Sequence, residues 1–178
     1  SRVISFLRSY GYEDIITGIG GTGVSVVIDS GIPGKTVALR ADMDALPLQE
    51  ETGLEYVSMS PGKMHACGHD GHMTTLLMVA KVIMENRAAC KGQIKFIFQP
   101  AEEGGRGAEA MIKGGVLESP KVDAIFGYHN WPLEKGMVAT KVGSIMAGDD
   151  RISIKIRGKG GHAALPHNTV NPLIVGST

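Results

Sequence analysis

Three short stretches of this chain gather residues that can hold a cation or move a proton. In His65-Ala-Cys67-Gly-His69-Asp70-Gly-His72, one thiol and three of the six histidines fall within eight positions. A thiolate and imidazoles at that density, beside glycines that let the backbone bend, suit a divalent metal of borderline softness. Two other readings fit the same letters: Cys67 as a nucleophile with a histidine base, or Cys67 as a small buried hydrophobe in a loop of incidental histidines. Phe96-Ile-Phe98-Gln-Pro100-Ala-Glu102-Glu103-Gly-Gly105 ends an apolar run in two adjacent carboxylates. Such a pair can divide labour, one binding a cation while the other moves a proton. A solvated acidic turn would use the same residues. In Ala124-Ile-Phe-Gly-Tyr128-His129-Asn130-Trp131 an apolar run again ends in a possible ligand, His129, although a histidine there is by itself more often structural.

The elements that must position these residues alternate between strand-like and helix-like stretches, which argues for an α/β fold. Strands are expected over 24–28, 36–39, 93–98 and 124–128. The last three are short, nearly continuous apolar runs, as in strands buried on both faces. A helix is expected after His72, where Met73, Leu76, Leu77, Ala80, Ile83 and Met84 recur at spacings of three and four, with Asp70 as its cap. Shorter helices are expected over 1–10 and over 108–113, the latter ended by Gly114-Gly115. This layout puts Asp42 and Asp44, Glu102 and Glu103, and His129 just beyond the ends of three strands, where open α/β sheets bind ligands. The Cys67–His69 loop then needs only to fold over the same edge. Gly18-Ile-Gly20-Gly-Thr-Gly23 matches the dinucleotide fingerprint by letter. That fingerprint needs a helix to follow, and Val24-Ser-Val-Val-Ile28 is strand-forming, so a hairpin entry is the better reading.

Composition narrows the partners. Of 178 residues, 43% are hydrophobic and 20% charged, with formal net charge zero, which gives no footprint for nucleic acid or a charged membrane surface. No apolar run approaches the roughly 18 residues of a membrane span, and the first ten residues lack the apolar stretch of a secretory signal. Two cysteines, Cys67 and Cys90, are too few for a disulfide framework, so a cytoplasmic compartment is expected. Both ends read as cut inside helical or apolar patterns, as in a fragment. Arg151-Ile-Ser-Ile-Lys-Ile-Arg157 alternates with a period of two, the signature of a half-exposed antiparallel strand. We therefore expect a domain boundary near residue 149, separating 1–149 from 150–178.

Arg40-Ala-Asp-Met-Asp-Ala-Leu-Pro47, the 65–72 stretch, Gln99-Pro-Ala-Glu-Glu103 and Gly158-Lys-Gly-Gly-His-Ala-Ala-Leu-Pro-His167, in this order along nearly the whole chain, resemble the M20 metallopeptidase family. The resemblance is to its amidohydrolase branch, which includes hippurate hydrolases, N-acyl-amino-acid amidohydrolases and auxin-conjugate hydrolases. It implies cleavage of N-acyl amino acids by water activated at two divalent metal ions, whether zinc, manganese, cobalt or nickel. Cys67, His69, Glu103 and His129 then correspond to metal ligands, Glu102 to the general base and Asp44 to the carboxylate that orients a ligand. His162 corresponds to the histidine that reaches a partner subunit's active site and stabilises the oxyanion. Asp42 stands where the wider family has a metal-binding histidine, and His69 compensates. The implied fold is a catalytic domain with a central mixed sheet flanked by helices, into which a ferredoxin-like dimerisation domain is inserted. The implied assembly is a homodimer. Two other classes remain open: a non-catalytic metal-binding fragment, and a cysteine hydrolase built on Cys67.

Overall fold

Runs of β-branched and aromatic residues build one five-stranded sheet. Its strands are β1 (Ile16–Ile19), β2 (Gly23–Asp29), β3 (Thr36–Asp42), β4 (Gln93–Gln99) and β5 (Ala124–Gly127), in the spatial order β1-β2-β4-β3-β5. β3 runs parallel to both β4 and β5, while β2 is antiparallel to β4 and to β1. The sheet is therefore mixed, and the C-terminal ends of its three parallel strands, at Asp42, Gln99 and Gly127, open on one side. The computed structural model describes residues 2–148, 150 and 152–178. Contacts divide the chain into two units, Ser1–Pro132 and Leu133–Thr178, and the boundary expected at residue 149 falls outside the described residues.

Helices α1 (Arg2–Ser9), α2 (His69–Glu85) and α3 (Gly107–Lys113) complete the first unit. Val3 and Leu7 of α1 pack with Leu76, Leu77 and Ala80 of α2 against Val24, Val26, Phe96 and Phe98 of the sheet. Each fully buried Leu or Phe contributes about 2 kcal/mol. Tyr12 lies edge-on to Phe96 at 5.8 Å and donates its hydroxyl to the Ala80 carbonyl at 2.9 Å. Met111 of α3 packs with Ala38, Ile97 and Val116 in a second cluster.

The glycine-rich stretch at 18–23 is the turn of the β1–β2 hairpin. A Cβ on Gly20 would meet the Met111 main-chain nitrogen at 2.8 Å, so the missing side chain lets α3 approach the turn.

Three expectations need correction. α2 begins at His69 rather than after His72. The inward positions of its first turn are the buried histidines 69 and 72, so the apolar stripe that marks a helix starts a turn late. The N-cap is Gly68, in the left-handed region at φ 82°, while Asp70 lies inside the first turn and accepts the Gly71 N–H at 2.9 Å. β5, expected to be buried on both faces, is exposed at all four residues. It pairs only with β3, and among the described residues nothing takes its other edge.

In the second unit, the stretch expected as a strand over 151–157 forms none among its described residues; the nearest pairing is an isolated bridge between Lys159 and Val170. Alternation specifies a face, but a strand also needs a hydrogen-bonding neighbour. A short helix, α4 (Pro172–Ser177), closes the chain, with the Asn171 side chain accepting the Leu173 N–H at 2.9 Å.

Candidate metal centre

The three parallel strand ends and the first turn of α2 converge on His69. Its ring is fully buried. Nδ1 donates to the main-chain oxygen of Asp44 at 2.9 Å, which leaves the lone pair on Nε2. That nitrogen is buried and has no hydrogen-bond partner. It faces Asp42 Oδ2 at 3.7 Å, Glu103 Oε1 at 3.7 Å and Glu102 Oε2 at 3.8 Å. A buried acceptor left unpaired beside carboxylate oxygens is costly by itself and becomes favourable when a cation sits among them.

Two sets of donor atoms meet there. Those of Cys67, His69 and His129 lie within 4.8 Å of one another, and so do those of His69, Glu102 and Glu103. One imidazole nitrogen has one lone pair and binds one cation. The sets therefore describe a single pocket with more donors than the four of a lone tetrahedral ion. His129 donates from Nδ1 to the Asn130 carbonyl at 2.6 Å, so its Nε2 carries the lone pair and meets the Cys67 sulfur at 3.4 Å. These residues fit a divalent cation by chemistry and by spacing.

The Cys67 thiol is pushed up to about 11, first by burial, then by a hydrogen bond to Glu103 and by the charges of Glu103, Glu102 and Asp42. At neutral pH it stays protonated in this field, the opposite of an activated nucleophile. A cation among the carboxylates would reverse the field and take the thiolate as ligand.

A third grouping, Asp42, His69 and His72, satisfies the same distance criterion but is not a ligand set. His72 donates from Nδ1 to Asp42 Oδ1 at 2.6 Å and accepts the Asn130 N–H on Nε2 at 2.9 Å. No lone pair is left. The other Asp42 oxygen takes Arg40 Nη1 at 2.8 Å, and Arg40 Nε reaches Gln99 at 2.8 Å. Burial opposes the charge on Asp42, but the His72 hydrogen bond and the Arg40 guanidinium outweigh it and hold the carboxyl below its usual range.

Asp44 ties two candidate ligands together by different atoms. Its carbonyl fixes His69, and its carboxylate Oδ2 accepts the Glu103 N–H at 3.0 Å. Its Oδ1 is buried with no hydrogen-bond partner and lies 3.3 Å from His69 Nδ1. The chain leaves β4 through left-handed turns at Ala101 and Arg106, at φ 52° and 54°, conformations that non-glycine residues rarely adopt. Between them lie Glu102 and Glu103. Beside Asp44 and Glu103 opens a cavity of about 430 Å³ whose walls include Met43, Leu46, Pro47 and Pro100.

The structure thus brings together Cys67, His69, Glu102, Glu103 and His129, with Asp44 behind them. His162 belongs to the second unit, where its Nδ1 accepts the Ala164 N–H at 3.1 Å. The sequence reading left out the partnership of Asp42, His72 and Asn130. The three-residue spacing of His69 and His72 was its one visible trace, because it places both on one face of a helix.

The model of Peptidase family M20/M25/M40 matches residues 38–174 of this chain. The chain is 50% identical to an N-acyl-L-amino acid amidohydrolase of Geobacillus stearothermophilus, over 82% of this chain and 39% of that protein. It is 49% identical to an N-acetyl-L-cysteine deacetylase of Bacillus subtilis, over 86% of this chain and 36% of that protein. Among solved structures, a dinuclear metal-binding peptidase from the M20 family of Bacillus subtilis superposes with a TM-score of 0.69 at 42% identity, covering 74% of this chain and 36% of that one. The chain therefore spans less than half the length of the relatives it matches.

Proposed function

We propose, for a chain that belongs to peptidase family M20/M25/M40, that the whole protein is a metal-dependent amidohydrolase that cleaves the amide bond of N-acyl amino acids, hippurate-like or N-acetylated. The observation that carries this reading is the buried, unpaired Nε2 of His69 among the donor atoms of Cys67, His129, Glu102 and Glu103. Two divalent ions would be held by Cys67, His69, Glu103 and His129, and a thiolate with imidazoles favours zinc over manganese, cobalt or nickel. When bound, such ions acidify water and polarise the scissile carbonyl.

The remaining roles fall to side chains. Glu102 takes the proton of the attacking water and returns it to the leaving amine. Its side chain is 40% exposed against 25% for Glu103, which suits a group that exchanges protons rather than one held as a ligand. Asp44 keeps Glu103 and His69 in register. His162 stabilises the developing oxyanion from an inserted dimerisation domain that begins near residue 150, in a homodimer. The cavity flanked by Met43, Leu46 and Pro47 beside Glu103 offers apolar walls to an acyl group. The two relatives named above are called by their names deacylases of N-acylated amino acids, which supports the same substrate class. Free Cys67 and Cys90 fit a reducing, cytoplasmic compartment.

The test is hydrolysis of a panel of N-acyl amino acids, including hippurate, by the full-length protein with and without chelator, beside Glu102→Gln. Cleavage lost to chelator, restored by metal and absent in the variant supports the reading. Cleavage indifferent to chelator but abolished by alkylating Cys67 overturns it in favour of a thiol nucleophile. Metal uptake without turnover of any substrate would leave a binding module only.

A further inference from the structure

We propose that the buried Asp42–His72 pair is a positioning relay that fixes the placement of His129 through the main chain of Asn130. The proposal rests on the reading of His129 as a metal ligand. The relay starts at Gln99 and Arg40, whose guanidinium spans the Gln99 amide and Asp42 Oδ2, both at 2.8 Å. Asp42 Oδ1 accepts from His72 Nδ1 at 2.6 Å, which leaves His72 Nε2 as an acceptor, and that acceptor takes the Asn130 N–H at 2.9 Å. Asn130 in turn accepts the His129 Nδ1–H on its carbonyl at 2.6 Å. Asp42 sets the tautomer of His72, and His72 anchors the peptide between His129 and Asn130; the Asn130 carbonyl by itself keeps the His129 proton on Nδ1, with Nε2 toward Cys67.

Stability alone is a weak reason for such a network. A buried carboxylate with its partners is commonly matched or surpassed by apolar side chains of the same volume. Neither nitrogen of His72 is free to bind a cation or move a proton, so a direct catalytic use is closed as well. What the network does reach is the peptide beside His129. The neighbouring packing is cut to fit it. The His72 and His129 rings lie 4.6 Å apart. The Asn130 amide occupies space that a Cβ on Gly68 or Gly71 would enter, at 2.8 and 2.9 Å. The segment also has a second tie to α2, from the Tyr128 hydroxyl to Thr75 at 3.0 Å. Replacing His72 therefore leaves the segment docked and removes the fine placement.

The test is a double-mutant cycle on cobalt(II) affinity in the full-length protein, using His72→Phe, His129→Ala and the double variant. Cobalt absorbance reports both the coordination geometry and the bond to Cys67. Removing a residue that orients a metal ligand typically weakens binding about 10–100-fold. His72→Phe should show that loss with altered visible bands, and the double variant should bind no worse than His129→Ala. His72→Gln, whose amide oxygen can still accept the Asn130 N–H, should recover part of the loss. If the two losses multiply, or if His72→Phe binds cobalt like the unchanged protein, the relay is refuted. If His129→Ala itself binds cobalt unchanged, the ligand reading falls first and takes the relay with it.

Should His72→Phe fail to fold, Asp42→Asn decides in its place. Arg40 holds one oxygen of residue 42, so the amide nitrogen must face His72 Nδ1. The imidazole proton then moves to Nε2, against the Asn130 N–H. A loss in the same range that does not add to that of His129→Ala upholds the relay, and an additive loss or none refutes it.

Discussion

Cation binding should climb steeply with pH because Cys67 must lose a proton to become a ligand. Its thiol is pushed up to about 11. At pH 7 this lies roughly four units below that value, so only about one molecule in 10⁴ carries the thiolate before metal arrives. Each cation that takes the sulfur therefore displaces close to one proton, and apparent affinity should rise about tenfold per pH unit between pH 7 and 9. The sign follows from which form binds: a raised thiol favours the protonated form that metal cannot use, so affinity falls toward acid and saturates only above the folded value. The assay is competition with a chromogenic chelator across that range, repeated on Cys67→Ser. The variant should bind more weakly throughout and lose most of that slope, because a serine hydroxyl is not deprotonated there. A flat profile in the unchanged protein, or an equal slope in Cys67→Ser, would refute the assignment of Cys67 as the proton-releasing ligand.

Gly68→Ala should lower cobalt affinity and stability together, since residue 68 sits at φ 82° and a Cβ there would meet Asn130 Nδ2 at 2.8 Å. The left-handed conformation alone costs about 1–2 kcal/mol for a residue with a Cβ, and a melt of the metal-free protein beside a cobalt titration reads both effects. Tyr12→Phe should cost about 1 kcal/mol in denaturant unfolding, because it leaves the buried Ala80 carbonyl short of a 2.9 Å hydrogen bond while keeping the ring. The same substitution should leave cobalt affinity of the folded protein unchanged.

Much of the scaffold was readable because it rests on local pattern. The runs at 36–39, 93–98 and 124–128 are short, largely apolar stretches of strand length, and a carboxylate pair or a histidine follows the last two. Parallel pairing of β3 with β4 and β5 then makes those tails neighbours. What escaped the pattern depends on tertiary partners. β1, with Thr17 and Gly18 in its centre, earns its strand only by pairing with β2. The exposure of β5 follows from its place at the edge rather than from its composition. The first turn of α2 hid because its buried face is imidazole, and the sense of that choice lies in Asp42, thirty positions away.

The electrostatics of the pocket favour the proposed metal role of Cys67 over a nucleophilic one. A catalytic cysteine needs a positive surround that holds the thiolate ready. Here Glu102, Glu103 and Asp42 all push the Cys67 thiol the other way, and the Arg40 guanidinium is engaged by Asp42 and Gln99. Such surroundings suit a thiol that stays protonated until a cation arrives among the carboxylates. The donor set then works as a whole: the carboxylates that disfavour the bare thiolate attract the cation that favours it, and His69, denied any hydrogen-bond partner on Nε2, already presents a lone pair to it. His72 is held out of this donor set by its own hydrogen bonds. Both of its nitrogens are committed to Asp42 and to Asn130, which keeps a third imidazole from competing for the ion while its ring supports His129.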